Sequence, residues 1–89
     1  MKDNPPPIVL DFPGMTPAAL GPDLFTRVLY CTRRAAEIYA PGAHHLCATY
    51  DPKTHEKTGY RLIVPDQKTA LRVRRCHTLA RDCRRMPWR

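Results

Sequence analysis

The side chains in this chain with the clearest chemistry are arginines, and they gather at one end. From Lys68 onward there are Lys68, Arg72, Arg74, Arg75, Arg81, Arg84, Arg85 and Arg89, opposed only by Asp82. That stretch carries +7, which is the formal net charge of the whole 89-residue chain. Residues 1–67 hold seven basic and seven acidic groups and cancel. A solvated helix face ordinarily mixes signs; this one is nearly all of one sign, the pattern of a surface that meets an anionic partner. Arginine outnumbers lysine eleven to four. The guanidinium is a planar fork that donates in pairs to phosphate or carboxylate. Solubility alone is the plainer use of such a face.

Four His and four Cys raise the question of metal or nucleophilic chemistry. Structural zinc sites space their ligands in close pairs such as C-x-x-C, and no such pair occurs here. His45 and Cys47, two apart on a strand, point the same way, but ordinary packing of Cys47 beside an exposed His45 explains them more simply. Cys76 and His77 are neighbours on a helix, so they point about 100° apart and make a poor nucleophile–base pair. No G-x-S-x-G, P-loop or dinucleotide fingerprint appears, and the acidic residues are few and scattered. We therefore expect no metal, no cofactor and no catalytic residues. Cys31, Cys47, Cys76 and Cys83 read as reduced thiols, three of them on apolar helix faces. Cys76 and Cys83 stand about 10 Å apart along one helix, beyond disulfide reach. A Cys31–Cys76 pairing between elements stays open.

The element that positions the arginines is a helix from Asp66 to Met86. Asp66 suits the N-cap, and Pro87 cannot continue the ladder. At 100° per residue Val73, Cys76, Leu79, Ala80, Cys83 and Met86 share a broad apolar face. Arg74, His77, Arg81, Arg84 and Arg85 cluster opposite, with Arg75 on a flank beside Asp82. Arg72 projects into the apolar sector and must snorkel or find a partner. The expected partner-binding set is Arg74, Arg75, His77, Arg81, Arg84 and Arg85. Tyr30, Arg33, Arg34 and Trp88 are secondary contacts.

Earlier elements follow from the punctuation. Residues 1–7 read as a flexible Pro-rich leader, and 8–89 as a single small domain. Ile8 to Phe12 is a strand with Ile8, Leu10 and Phe12 on one face. Thr16 caps one helical turn beginning at Pro17. A first long helix runs from Pro22-Asp23 to Tyr39, with Leu24, Val28, Cys31, Ala35, Ile38 and Tyr39 as its apolar stripe and an Arg33–Glu37 pair outside. His44–Asp51 and Thr58–Val64 form a hairpin whose polar connection should be mobile. The order is β-α-β-β-α, an α+β fold with a three-stranded antiparallel-type sheet and two helices packed on one face. No basic region precedes an apolar block at the N-terminus, and no apolar run approaches ~20 residues. The expectation is a soluble cytoplasmic protein away from membranes, with a homodimer through the open sheet face or an edge strand left open.

Gly42-Ala43-His44-His45 ahead of a hairpin, then Val64-Pro65 ahead of a helix, resembles the HicA toxin family, small basic ribonucleases with a double-stranded-RNA-binding-like fold. That resemblance implies a catalytic role for His44. It departs from the family in one respect: the family has a strand between its first helix and the G-x-H element, where here only Ala40-Pro41 intervenes. The order of elements is also similar to the DinI family, which binds a recombinase filament. The last helix of that family is acidic, so its function does not transfer.

The leading expectation is a small, non-enzymatic binding protein whose last helix engages an anionic surface, nucleic acid first. Reversing Arg81 and Arg84 to Glu should then abolish binding. The alternatives are a protein–protein inhibitor of the kind phages and mobile elements encode, docking on an acidic patch or nucleic-acid channel of a host enzyme, and a HicA-like ribonuclease toxin.

Overall fold

Each change of element falls where proline, glycine or a short polar side chain dictates it. The computed structural model describes residues 6–83. Strand β1 (Ile8–Pro13) ends at Gly14, whose φ of +80° suits a residue without a Cβ. A single turn, α1 (Pro17–Leu20), is capped by Thr16, whose hydroxyl accepts from the Ala19 amide at 3.2 Å. Helix α2 (Pro22–Tyr39) starts on a proline with Asp23 in its first turn. Strands β2 (His45–Tyr50) and β3 (Lys57–Val64) form the hairpin. Helix α3 covers Gln67–Cys83. Its cap is the expected one, because the Asp66 carboxylate accepts from the Thr69 amide at 2.8 Å. That bond holds the Asp66 carboxyl below its ordinary pKa.

The three strands form one open sheet in the order β1-β3-β2, with both pairings antiparallel. The fold is therefore α+β, as expected, with β3 in the centre between two edge strands. One sheet face carries Leu10, Phe12, Leu62 and Val64 into a core shared with Val28, Cys31 and Ala35 of α2 and Val73, Cys76 and Ala80 of α3. The other face is open. Across it the register sets Val9 beside Ile63 and His45, and Asp11 beside Arg61 and Cys47. Asp11 accepts from Arg61 Nε at 2.8 Å there. Gly59 sits where β3 passes the end of β1, and a Cβ on it would run into the Phe12 carbonyl oxygen.

Residues 51–56, between β2 and β3, make a built turn. The Asp51 carboxylate accepts from the Lys53 and Thr54 amides at 2.7 and 3.2 Å. The Asp51 amide donates to the Glu56 carbonyl, and the His55 amide to the Asp51 carbonyl, both at 2.8 Å. An aspartate bonding forward to the backbone is a turn device in itself. His55 takes a positive φ of 64° inside it.

Candidate nucleic-acid interface on the last helix

The face that α3 buries differs in part from the expected one. Thr69, Ala70, Val73, Cys76, His77 and Ala80 are buried, while Leu79 is only partly covered and Leu71 is 58% exposed. Of the described residues expected on the apolar face, Val73, Cys76 and Ala80 are buried as expected, and the stripe extends over Thr69, Ala70 and His77 rather than over Leu79. The main correction is His77. It was expected among the exposed cations, yet it is 8% exposed.

Two neighbours far away in sequence hold it there. Its ring packs against Phe12 of β1 with centroids 4.2 Å apart. Its Nδ1 lies 2.9 Å from the Thr32 hydroxyl oxygen on α2. That hydroxyl already donates its one hydrogen to the Val28 carbonyl at 2.8 Å. The oxygen must therefore accept, so the His77 Nδ1–H donates to it. Burial first, then the charges of Arg81 and Arg74, push the His77 pKa down to about 4; Asp82 opposes them weakly. His77 is thus a neutral tie between β1, α2 and α3 rather than a surface contact. Thr32 was missed as its partner because a threonine in a helix gives no sign of which residue 45 positions on will reach it.

The described arginines of α3 do face solvent. Lys68, Arg72, Arg74, Arg75 and Arg81 are all exposed, and among the described residues no carboxylate stands within ion-pair distance of them. Arg84, Arg85 and Trp88 lie outside the described residues. The exposed cations divide into two flanks. Lys68, Arg72 and Arg75 recur at helical spacing along one side. Arg74 and Arg81 occupy the other, close enough to His77 to disfavour its protonation.

The first flank borders a recess. Arg72, expected to need a partner, has its guanidinium over the Tyr39 ring at 5.1 Å from the centroid. Tyr39 closes α2, so the pair ties the end of that helix to the second turn of α3. Around it open two adjoining hollows, about 390 and 260 Å³, which share Tyr39 and Arg72. Arg75, Cys76 and Leu79 line the larger, and Asp66, Lys68 and Thr69 the smaller.

On α2, Tyr30, Arg33 and Arg34 sit on the exposed face. The ion pair is Arg34–Glu37 at 3.2 Å rather than Arg33–Glu37. Ile38, placed in the apolar stripe from sequence, is 43% exposed; Thr32 and Ala36 are buried instead.

Two of the thiols, Cys31 and Cys76, are poorly suited to nucleophilic chemistry. Cys31, Cys47 and Cys76 are outside any disulfide. Burial, then the neighbouring Cys76, pushes the Cys31 thiol pKa up, against Arg27. Burial does the same to Cys76, against Arg75. A raised pKa keeps both protonated and unreactive. His45 is exposed beside Cys47 on the open sheet face, and among the described residues no cluster of three metal-ligating side chains forms. His44 precedes β2, with Nδ1 2.8 Å from the Ala40 carbonyl oxygen, which closes the loop after α2.

The chain matches no family model, no curated protein and no solved structure, so neither resemblance noted above gains support. Among the described residues no helix is long and apolar enough to cross a membrane.

Proposed function

We propose that this is a small non-enzymatic binding protein whose last helix engages a polyanion, with nucleic acid as the partner. The observation that carries the reading is the state of the α3 cations. Five are exposed, and none is neutralised by a carboxylate among the described residues. Internal ion pairs would have consumed that charge; their absence leaves it for counterions or for a ligand. A phosphate backbone gains by displacing those counterions, so affinity must fall linearly on a logarithmic salt scale, by about 0.7 to 0.9 of a decade per decade of salt for each phosphate neutralised.

The test is fluorescence anisotropy with labelled oligonucleotides over a salt series. A slope corresponding to three or more phosphates supports the reading, and flat salt dependence removes it. A pull-down from nuclease-treated lysate separates the protein-inhibitor alternative. A stoichiometric protein partner that survives nuclease, with no oligonucleotide binding, favours that alternative.

A further inference from the structure

The two flanks of α3 are not equivalent, and the difference narrows the ligand. Taking the proposed nucleic-acid reading as its basis, we infer that the recess between Tyr39 and the Lys68–Arg72–Arg75 flank receives an unpaired nucleotide of a single strand. Its base would lie on the outer face of the Arg72 guanidinium, and its phosphate would meet Arg75 or Lys68.

Three features of the recess lead there. First, the Arg72 guanidinium already lies over an aromatic ring, 5.1 Å from the Tyr39 centroid, while the residue stays exposed. A guanidinium held by a ring in this way has given up conformational freedom before the ligand arrives, and its exposed side is open to a planar base. Second, the flank alternates function along the helix. Lys68, Arg72, Arg75 and Leu79 follow one another at spacings of four, three and four, so two cations flank the stacked pair and an apolar side chain borders it. A base with a phosphate on either side asks for that order. Third, the site is concave. The larger hollow of about 390 Å³ lies within the range of small-ligand sites, roughly 300 to 1,000 Å³. A duplex keeps its bases stacked inside and offers a convex phosphate edge, which fits a flat or protruding basic surface. A splayed nucleotide can enter a recess.

Asp66 is the one carboxylate lining the smaller hollow. Its oxygen is engaged by the Thr69 amide at the helix cap, and it repels phosphate from that end. Of the two phosphates beside the base, the one at Arg75 is therefore held more strongly than the one at Lys68. The opposite flank lacks these features: Arg74 and Arg81 stand near the buried His77, and among the described residues neither lies over an aromatic ring.

The experiment compares the full chain's affinity for a single-stranded 12-mer, in DNA and RNA forms, with a duplex of equal length at one salt concentration. A second probe carries 2-aminopurine, whose emission falls when the base stacks. We expect the single strand to bind at least tenfold more tightly than the duplex. We also expect quenching of the 2-aminopurine probe that Arg72→Gln removes and Arg74→Gln leaves in place. Arg72 is exposed, so the substitution spares the core; Tyr39→Leu is the second variant, checked for folding by circular dichroism. Equal or tighter binding of the duplex overturns the inference, as does quenching unchanged by Arg72→Gln, while the broader nucleic-acid reading would survive either result. Absence of binding to every oligonucleotide overturns both.

Discussion

The two sides of the last helix carry the same residue type and stand in different surroundings. On one side Lys68, Arg72 and Arg75 border a recess, and Arg72 lies against Tyr39. On the other, Arg74 and Arg81 overlook an imidazole that burial has already discharged. Charge alone does not separate them. What separates them is the neighbour across the helix boundary: an aromatic ring at the end of α2 in the first case, and a buried Thr32–His77–Phe12 cluster in the second. One flank borders the recess proposed as a ligand site, the other the core. An arginine-rich helix is therefore not one uniform surface.

That contrast can be tested from both sides. The largest effect should come from acid. His77 has a folded pKa of about 4 against an ordinary 6.5, so below pH 6.5 the unfolded chain binds a proton that the native state refuses. Stability from this group is complete above pH 6.5 and is lost progressively as pH falls toward 4. The loss is about 3 kcal/mol at most by linkage. Urea denaturation at pH 7 and pH 4.5 checks it, and a His77→Gln variant should show little of that pH dependence. Next, Arg72→Glu with Arg75→Glu should weaken single-strand binding on the order of a hundredfold, through a lost stacking platform and reversed phosphate contacts. The matched pair Arg74→Glu with Arg81→Glu should cost only about tenfold through the general field. Equal losses from the two pairs would erase the distinction.

A smaller effect is expected from Thr32→Val. It leaves the His77 Nδ1–H buried without an acceptor, a loss of roughly 1 to 3 kcal/mol in chemical denaturation. Oligonucleotide affinity should be unchanged in the same protein. Smallest of all, Arg74→Ala with Arg81→Ala removes two charges that oppose protonation. The His77 pKa should rise by a few tenths, as read by NMR titration, given that both arginines are exposed and screened. Replacing Arg72 and Arg75 with alanine should leave that titration where it was.

Much of the scaffold was legible in the residues. Pro22 and Tyr39 bound α2 as the sequence indicates, Thr16 and Asp66 cap their helices, and the β-α-β-β-α order and the packing of helices on one sheet face follow from the periodicity. Those features are local: caps, breakers and alternation act within a few residues, so a single stretch carries the whole signal. The connection after β2 carries turn residues, but which side chain closes it came from the structure: Asp51 bonds forward to two amides.

The site was legible only in outline. The amino-acid order by itself determined that positive charge accumulates on one helix and that this helix has an apolar stripe. It did not determine how far that helix is turned about its axis. Residues at the edges of a stripe, such as His77 and Leu79, can fall on either side of the boundary between core and solvent, and a wheel drawn from one helix weighs hydrophobicity alone. The tertiary structure settled the matter by supplying a hydroxyl from Thr32 and a ring from Phe12, which make a buried imidazole affordable. Packing likewise supplied the partner that Arg72 needs, the Tyr39 ring beside the recess. Both partners come from elements distant in the chain, and only packing brings them together.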